Sequence, residues 1–145
     1  MTTERTVPTT RRRVVVCCAA LVVVVAGVVV TRVGTGTAAD LAGDALYAAL
    51  VYLVLVAAAP WWRSRTVGAV AVALCWAVEL AQLTGLPADV VGWWSPARYV
   101  LGTTFGWWDL VAYAVGVAVT LAVDVSVHRP MNAPSSSSRS GVVGR

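Results

Sequence analysis

Between Val14 and Val127 the chain alternates long apolar runs with short polar breaks. Four runs can be read, at about 14–30, 41–59, 67–84 and 105–127. A helix needs about 20 residues, with a range of roughly 17–25, to cross a hydrocarbon core near 30 Å thick. Each run reaches that length once a few flanking residues are counted. Pro60 closes the second run and Pro87 follows the third, both where a helix has already ended. The pattern therefore predicts an all-α fold, an integral membrane four-helix bundle over residues 14–127. Residues 1–13 form a polar N-terminal tail. Residues 128–145, "HRPMNAPSSSSRSGVVGR", carry a serine run, prolines and no periodicity, which predicts a disordered tail. The connection "LPADVVGWWSPARYVLGTTFGWW" exceeds the roughly 2–8 residues usual between bundled helices. Its Trp, Tyr and Val content suits a segment lying on, or dipping into, a membrane interface.

Composition makes the membrane reading firmer. The chain of 145 residues is 59% hydrophobic with mean hydropathy +0.77, against roughly 45–50% apolar residues in soluble domains. That length allows one domain at most. The formal charge of +4 carries no nucleic-acid signal: lysine is absent and the arginines sit in connections, not on one basic face. They set topology instead. Arg11, Arg12 and Arg13 precede the first span, Arg63 and Arg65 follow the second, and Arg129 follows the fourth, leaving only Arg32 and Arg98 in the other two connections. The positive-inside rule then places both termini in the cytoplasm and the connections 31–40 and 85–104 outside. The Trp pairs fit the same borders, Trp61–Trp62 inside and Trp93–Trp94 and Trp107–Trp108 outside. The first run is longer than the apolar stretch of a signal peptide, and Arg32 precedes any small-residue cleavage site, so an uncleaved anchor is expected. The expected location is the bacterial plasma membrane. Cys17, Cys18 and Cys75 form no metal or redox spacing and read as small packing residues.

Small residues suggest how the spans pack. Ala69, Ala73, Ala77 and Ala81 recur every fourth position in the third span, a ridge that permits close helix approach. Ala112, Gly116 and Thr120 repeat the spacing in the fourth. Ionisable residues within spans cost about 2.5–3.5 kcal/mol at the bilayer centre. Asp44 lies near the outer start of the second span, Glu79 and Gln82 near the outer end of the third, and Asp109 near the outer start of the fourth. A topology drawn from arginines alone puts all of them on one side. Arg98 is the obvious counter-charge, with Arg32 second, and Tyr113 stands one turn below Asp109 on its face, as Tyr47 does beside Asp44. The candidate ligand-binding set is Asp44, Glu79, Gln82, Arg98, Asp109 and Tyr113. Asp124, at the inner end near Arg129, is expected to form a surface pair.

On the stretches "GDALYAAL", "ELAQL", Arg98 and "LGTTFGWWDLVAYAVG", the chain resembles the bacterial membrane family known as domain of unknown function 2809. The resemblance spans roughly residues 11–127. That family is distantly similar to VanZ-like proteins, which carry E-x-x-Q, an arginine, then D-x-x-x-N-x-x-G. The similarity implies a shared role for Glu79, Gln82, Arg98, Asp109 and Gly116, although Tyr113 stands where the VanZ-like pattern has asparagine. It also implies a polytopic protein of unsettled activity, with VanZ-like relatives linked to glycopeptide tolerance.

Several functions remain open at this level. A non-enzymatic envelope protein could bind a lipid headgroup, glycan or cell-wall precursor in an outer polar pocket, with Arg98 clamping a phosphate or carboxylate. A membrane-embedded enzyme could use Glu79 and Asp109 as an acid–base pair. No nucleophile–base arrangement, cofactor motif or metal spacing supports catalysis, so the binding reading leads and no cofactor or metal is expected. A purely structural or accessory network is the bland alternative. A transporter would need a homo-oligomer to line a path, and no inverted repeat is visible. Expected partners are membrane lipids and a lipid-linked or glycan ligand, with no nucleic acid. The topology is checked by reporter fusions: positions after Arg63 and at the C-terminus should report cytoplasm, and one near Pro87 the outside. A C-terminus found outside would overturn the charge-based orientation.

Overall fold

The computed structural model describes residues 10–97 and 105–127. Four long helices dominate it: α1 (Thr10–Val33), α2 (Thr37–Ala58), α3 (Ser64–Gln82) and, after a short α4 (Leu86–Trp93) and a 3₁₀ turn (Ser95–Ala97), α5 (Trp107–Val127). Each of α1, α2, α3 and α5 is long and apolar enough to cross a membrane. The described residues contain no strand. The chain is an all-α, multi-pass membrane protein.

Helix α1 shows why lipid must be its solvent. Its run of β-branched valines would be a poor helix former in water. In hydrocarbon every backbone N–H and C=O must be satisfied within the segment, and helix is the only local solution. Its valines are exposed almost all round, and Val16 alone among its described residues is buried. The expected bundle needs one correction here. Helix α2 packs against α1, α3 and α5, whereas α1 touches only α2 among the long helices. The protein is thus a three-helix core of α2, α3 and α5, with α1 leaning on one side.

Within that core each helix presents one stripe at helical spacing. On α2 it is Asp44, Ala48, Tyr52 and Val56; on α3 Val67, Ala71, Cys75 and Glu79; on α5 Asp109, Tyr113 and Val117, flanked by Ala112 and Gly116. Small residues, Ala48 on α2, Ala71 and Cys75 on α3 and Ala112 and Gly116 on α5, sit among them and let the helices approach closely. One close approach is at Gly116. A Cβ there would overlap the carbonyl of Ala45 and lie 2.8 Å from its carbon, so α5 can meet the α2 backbone only through glycine. Gly68 makes room in a milder way, since its absent side chain faces Leu121, Val117 and the ring of Tyr52.

The alanine ridge of α3 does not pack as expected. Ala69, Ala73 and Ala77 are exposed and Ala81 half-buried, while Val67, Gly68, Ala71, Cys75 and Glu79 turn inward. Both faces carry small residues every fourth position, so spacing alone cannot choose between them. The charge does choose: a carboxylate cannot face lipid, and Glu79 rotates the helix to bury its own stripe. The matching expectation for α5 holds, with Ala112 and Gly116 buried and Thr120 half-buried. Cys75 is buried as a packing residue, but Cys17 and Cys18 are exposed on α1.

Asp124 has partners that the sequence reading did not include. It accepts hydrogen bonds from the Tyr52 hydroxyl at 2.8 Å and from Ser64 Oγ at 2.6 Å, joining α2, α3 and α5. Arg129, its anticipated partner, lies outside the described residues. At the other end of the core α3 stops at Gln82. Gly85, with φ 76° in the left-handed region, turns the chain into α4, whose first turn holds Pro87. The three Trp pairs are exposed and sit at or just beyond helix ends.

Two substitutions separate the real contact from the apparent one. Gly116→Leu should destabilise the bundle by at least the roughly 1–3 kcal/mol typical of overpacking. Ala77→Leu should stay within about 0.5 kcal/mol of the parent, as exposed changes do. Unfolding in mild detergent, followed by far-UV circular dichroism, measures both; equal losses would contradict the packing described.

Candidate functional site

The end of the bundle where α1 stops and α2 begins is also where α3 stops and α5 begins. Four helix termini therefore bring their polar residues to one level. Glu79 is the most deeply buried of these groups. It is 1% exposed, and both its oxygens are engaged: Oε1 accepts the backbone N–H of Gly106 at 2.7 Å, and Oε2 accepts the Tyr113 hydroxyl at 3.1 Å.

Gly106 immediately precedes α5, so its amide is one of the donors that a helix start leaves without an intrahelical partner. Glu79 supplies that partner from another helix. It also sets a negative charge at the positive end of the α5 dipole, an arrangement that stabilises by about 0.3–1 kcal/mol at exposed sites and more when partly buried. Asp109, in the first turn of α5, lies over the same glycine: a Cβ at Gly106 would come within 2.5 Å of its Oδ2. The α5 start is therefore flanked by two carboxyl groups. Trp76 adds a stitch nearby, donating Nε1–H to the Leu110 carbonyl at 3.0 Å.

Asp44 of α2 and Asp109 of α5 line the same cavity at this end of the bundle. Beneath them Tyr47 packs edge-on against Tyr113, with ring centroids 6.1 Å apart. The sequence-derived set is thus largely brought together: Asp44 and Asp109 line one cavity, Tyr113 bonds to Glu79, and Gln82 lies one turn beyond Glu79 on α3. Arg98 lies outside the described residues.

These groups border a cavity of about 1090 Å³ in the wedge between α1 and the three-helix core. Its polar wall includes Asp40, Asp44, Glu79, Gln82, Asp109 and Tyr113. Its opposite wall is the apolar side of α1, with Val23, Val24, Gly27 and Val28, and Arg32 at the rim. Along α2 the lining runs from Asp40 down to Leu50, about 15 Å at 1.5 Å per residue. Polar groups occupy the upper part, and Leu46, Leu50 and the α1 valines the lower. No group of three or more His, Cys, Asp or Glu suited to a metal ion occurs among the described residues.

Two participants escaped the sequence reading. Gly106 acts through its backbone, which no side-chain inventory reports; a glycine directly before "WWD" at a helix start was the available signal. Asp40 was passed over because it precedes the expected second span, whereas α2 begins at Thr37.

Fold and site together define a small multi-pass membrane protein with a polar cavity at one end of its helices. The chain belongs to the family described as protein of unknown function (DUF2809), whose model matches residues 33–117. No curated protein and no solved structure gives a significant match.

The Glu79 arrangement yields graded expectations. Glu79→Ala strips the partners of the Gly106 amide and the Tyr113 hydroxyl, at about 1–3 kcal/mol for each donor left unsatisfied. Tyr113→Phe should cost only about 0.6 kcal/mol, the average for one interhelical hydrogen bond in a membrane. Glu79→Gln keeps an acceptor for Gly106 and should lose mainly the dipole contribution of about 0.3–1 kcal/mol. Unfolding free energies in mixed micelles test the order Glu79→Ala well below Glu79→Gln and Tyr113→Phe. An alanine variant as stable as the parent would remove Glu79 from the architecture.

Proposed function

We propose that this protein is a non-enzymatic membrane protein whose cavity faces the outside of a bacterial plasma membrane. There it binds a polar-headed envelope molecule: a lipid headgroup, a glycan or a lipid-linked cell-wall precursor. The observation that supports this reading is the two-faced cavity, with carboxyl, amide and phenol groups above and valine and leucine side chains below. Ligand sites commonly occupy about 300–1,000 Å³ and join an apolar lining to a few placed polar groups. At the far end of the core Asp124, which accepts hydrogen bonds from Tyr52 and Ser64, does not line this cavity. Arg98 stays in the proposed set on sequence grounds, as a clamp for phosphate or carboxylate.

A membrane-embedded acid–base enzyme is the second reading, and the placement of Asp44 and Asp109 on one cavity favours it, since paired carboxyls serve such chemistry. The roles differ from the sequence expectation: both Glu79 oxygens accept hydrogen bonds, so Asp44 replaces it as the partner of Asp109.

Native mass spectrometry of gently extracted protein tests the binding role. The parent should retain a small-molecule adduct. Gly27→Leu should lose it while folding normally, because a Cβ at Gly27 meets nothing within 4 Å and a larger side chain there narrows the cavity. An adduct retained equally by both, or by neither, would sink the proposal. Chemical change of the released adduct on incubation with the parent, abolished in Asp109→Asn, would favour the enzyme.

A further inference from the structure

We infer that the cavity takes a single-chain amphiphile whose alkyl chain lies along the α1 valine wall and whose headgroup carries an ammonium group. The inference rests on the binding role proposed above and adds the class of ligand.

The shape argues for an amphiphile. The lining changes character with depth, from Asp40, Asp44 and Asp109 toward the helix ends to Leu46, Leu50 and Val23 further in, with Leu50 about three turns below Asp40. A free glycan would leave the lower part without apolar contact. A bare hydrocarbon would cover carboxyl groups while donating no hydrogen bond to them. A chain with a polar head matches both parts at once, and α1 is placed to admit it. Because α1 packs on α2 and stays out of contact with α3 and α5, the wedge faces the surrounding bilayer, where such molecules already reside.

Charge complementarity selects the headgroup. Four carboxyl side chains line the cavity, Asp40, Asp44, Glu79 and Asp109, against Arg32 as the cation among the described lining residues. The dipole of α5, which could attract an anion, is already met by Glu79 and Asp109. Asp44 and Asp109 line the same cavity together with Asp40 and Glu79, and carboxylates gathered in this way repel one another unless a positive charge lies among them. An ammonium group supplies that charge and donates hydrogen bonds to carboxylates. A sulfate or phosphate head would instead add a further negative centre, and a sugar would satisfy hydrogen bonds without relieving the repulsion.

Three probes with the same dodecyl chain separate these cases: dodecylammonium, dodecyl glucoside and dodecyl sulfate. Each is titrated into the full chain in phosphatidylcholine nanodiscs by calorimetry, with protein-free nanodiscs subtracted. Dodecylammonium should bind roughly tenfold or more tightly than the other two, as expected for one charge-assisted contact. Asp44→Asn should remove that preference, and Gly27→Leu should weaken all three probes. Should Asp44→Asn fold poorly, Asp40→Asn, at an exposed position in the first turn of α2, is used in its place. Glucoside or sulfate binding as tightly as ammonium would overturn this inference while leaving the binding role standing. No saturable binding by any probe, together with no native adduct in the earlier experiment, would overturn both. An ammonium preference that survives neutralisation of the acids would also overturn it, by placing the selectivity elsewhere.

Discussion

The contact between Glu79 and the start of α5 is the interaction from which the polar end of this bundle follows. A carboxylate inside a membrane helix is tolerable only with donors around it. Here one donor is a backbone amide that the helix start leaves open and the other is a buried phenol. The arrangement solves two problems together, the charge on α3 and the free N–H at the head of α5. It also fixes the rotation of α3, because burying Glu79 at position 79 buries Cys75, Ala71 and Val67 below it. The side of α3 that meets α2 and α5 is thereby settled by one acid.

The opposite end of the core repeats the device with the roles exchanged. There α5 supplies the carboxylate, Asp124, and α2 and α3 supply hydroxyls from Tyr52 and Ser64. Between the two carboxylates lie the small residues Ala48, Ala71, Cys75 and Gly116. Apolar attraction between helices is weak in lipid, where the surroundings are as apolar as the side chains. Directional bonds at both ends and close backbone approach between them are the remaining means of holding three helices in register. The overlap that any Cβ at Gly116 would make with Ala45 shows how far that approach has gone.

Much of this was legible in the sequence, for identifiable reasons. Span existence follows from run length against bilayer thickness, and all four spans are helices within a few residues of their expected limits. The common level of Asp44, Glu79 and Asp109 follows from span order alone. Helix rotation was harder to read. The Ala69–Ala81 repeat and the Ala71–Cys75 stripe look equally suitable by spacing, and only the demand of Glu79 for partners tells them apart. The hydroxyl partners of Asp124 were not legible, because its position near a span end resembles that of a solvated acid. Nothing local to residue 124 indicates that Tyr52 and Ser64, distant along the chain, converge on it. The placement of α1 against α2 alone was equally hidden, since a helix of valines shows no preferred face.

That last point bears on how the work of the protein is divided. The family match begins at Val33, the final residue of α1, and ends at Val117, one residue past the close α2–α5 approach at Gly116. The matched segment therefore contains Asp40, Asp44, Glu79, Gln82, Asp109 and Tyr113, which is to say the polar wall of the cavity. The apolar wall contributed by Val23, Val24 and Val28 lies before it. On the proposed binding role, recognition of the headgroup would reside in the matched segment and accommodation of the chain in α1. The α1 wall packs on α2 but stays out of contact with α3 and α5, which carry Glu79 and Asp109, so substitutions at its cavity-facing valines can alter the space for an alkyl chain without disturbing those carboxyl groups. Exchange of α1 residues should consequently change which chain length is held, and exchange of the acids which headgroup, each independently of the other.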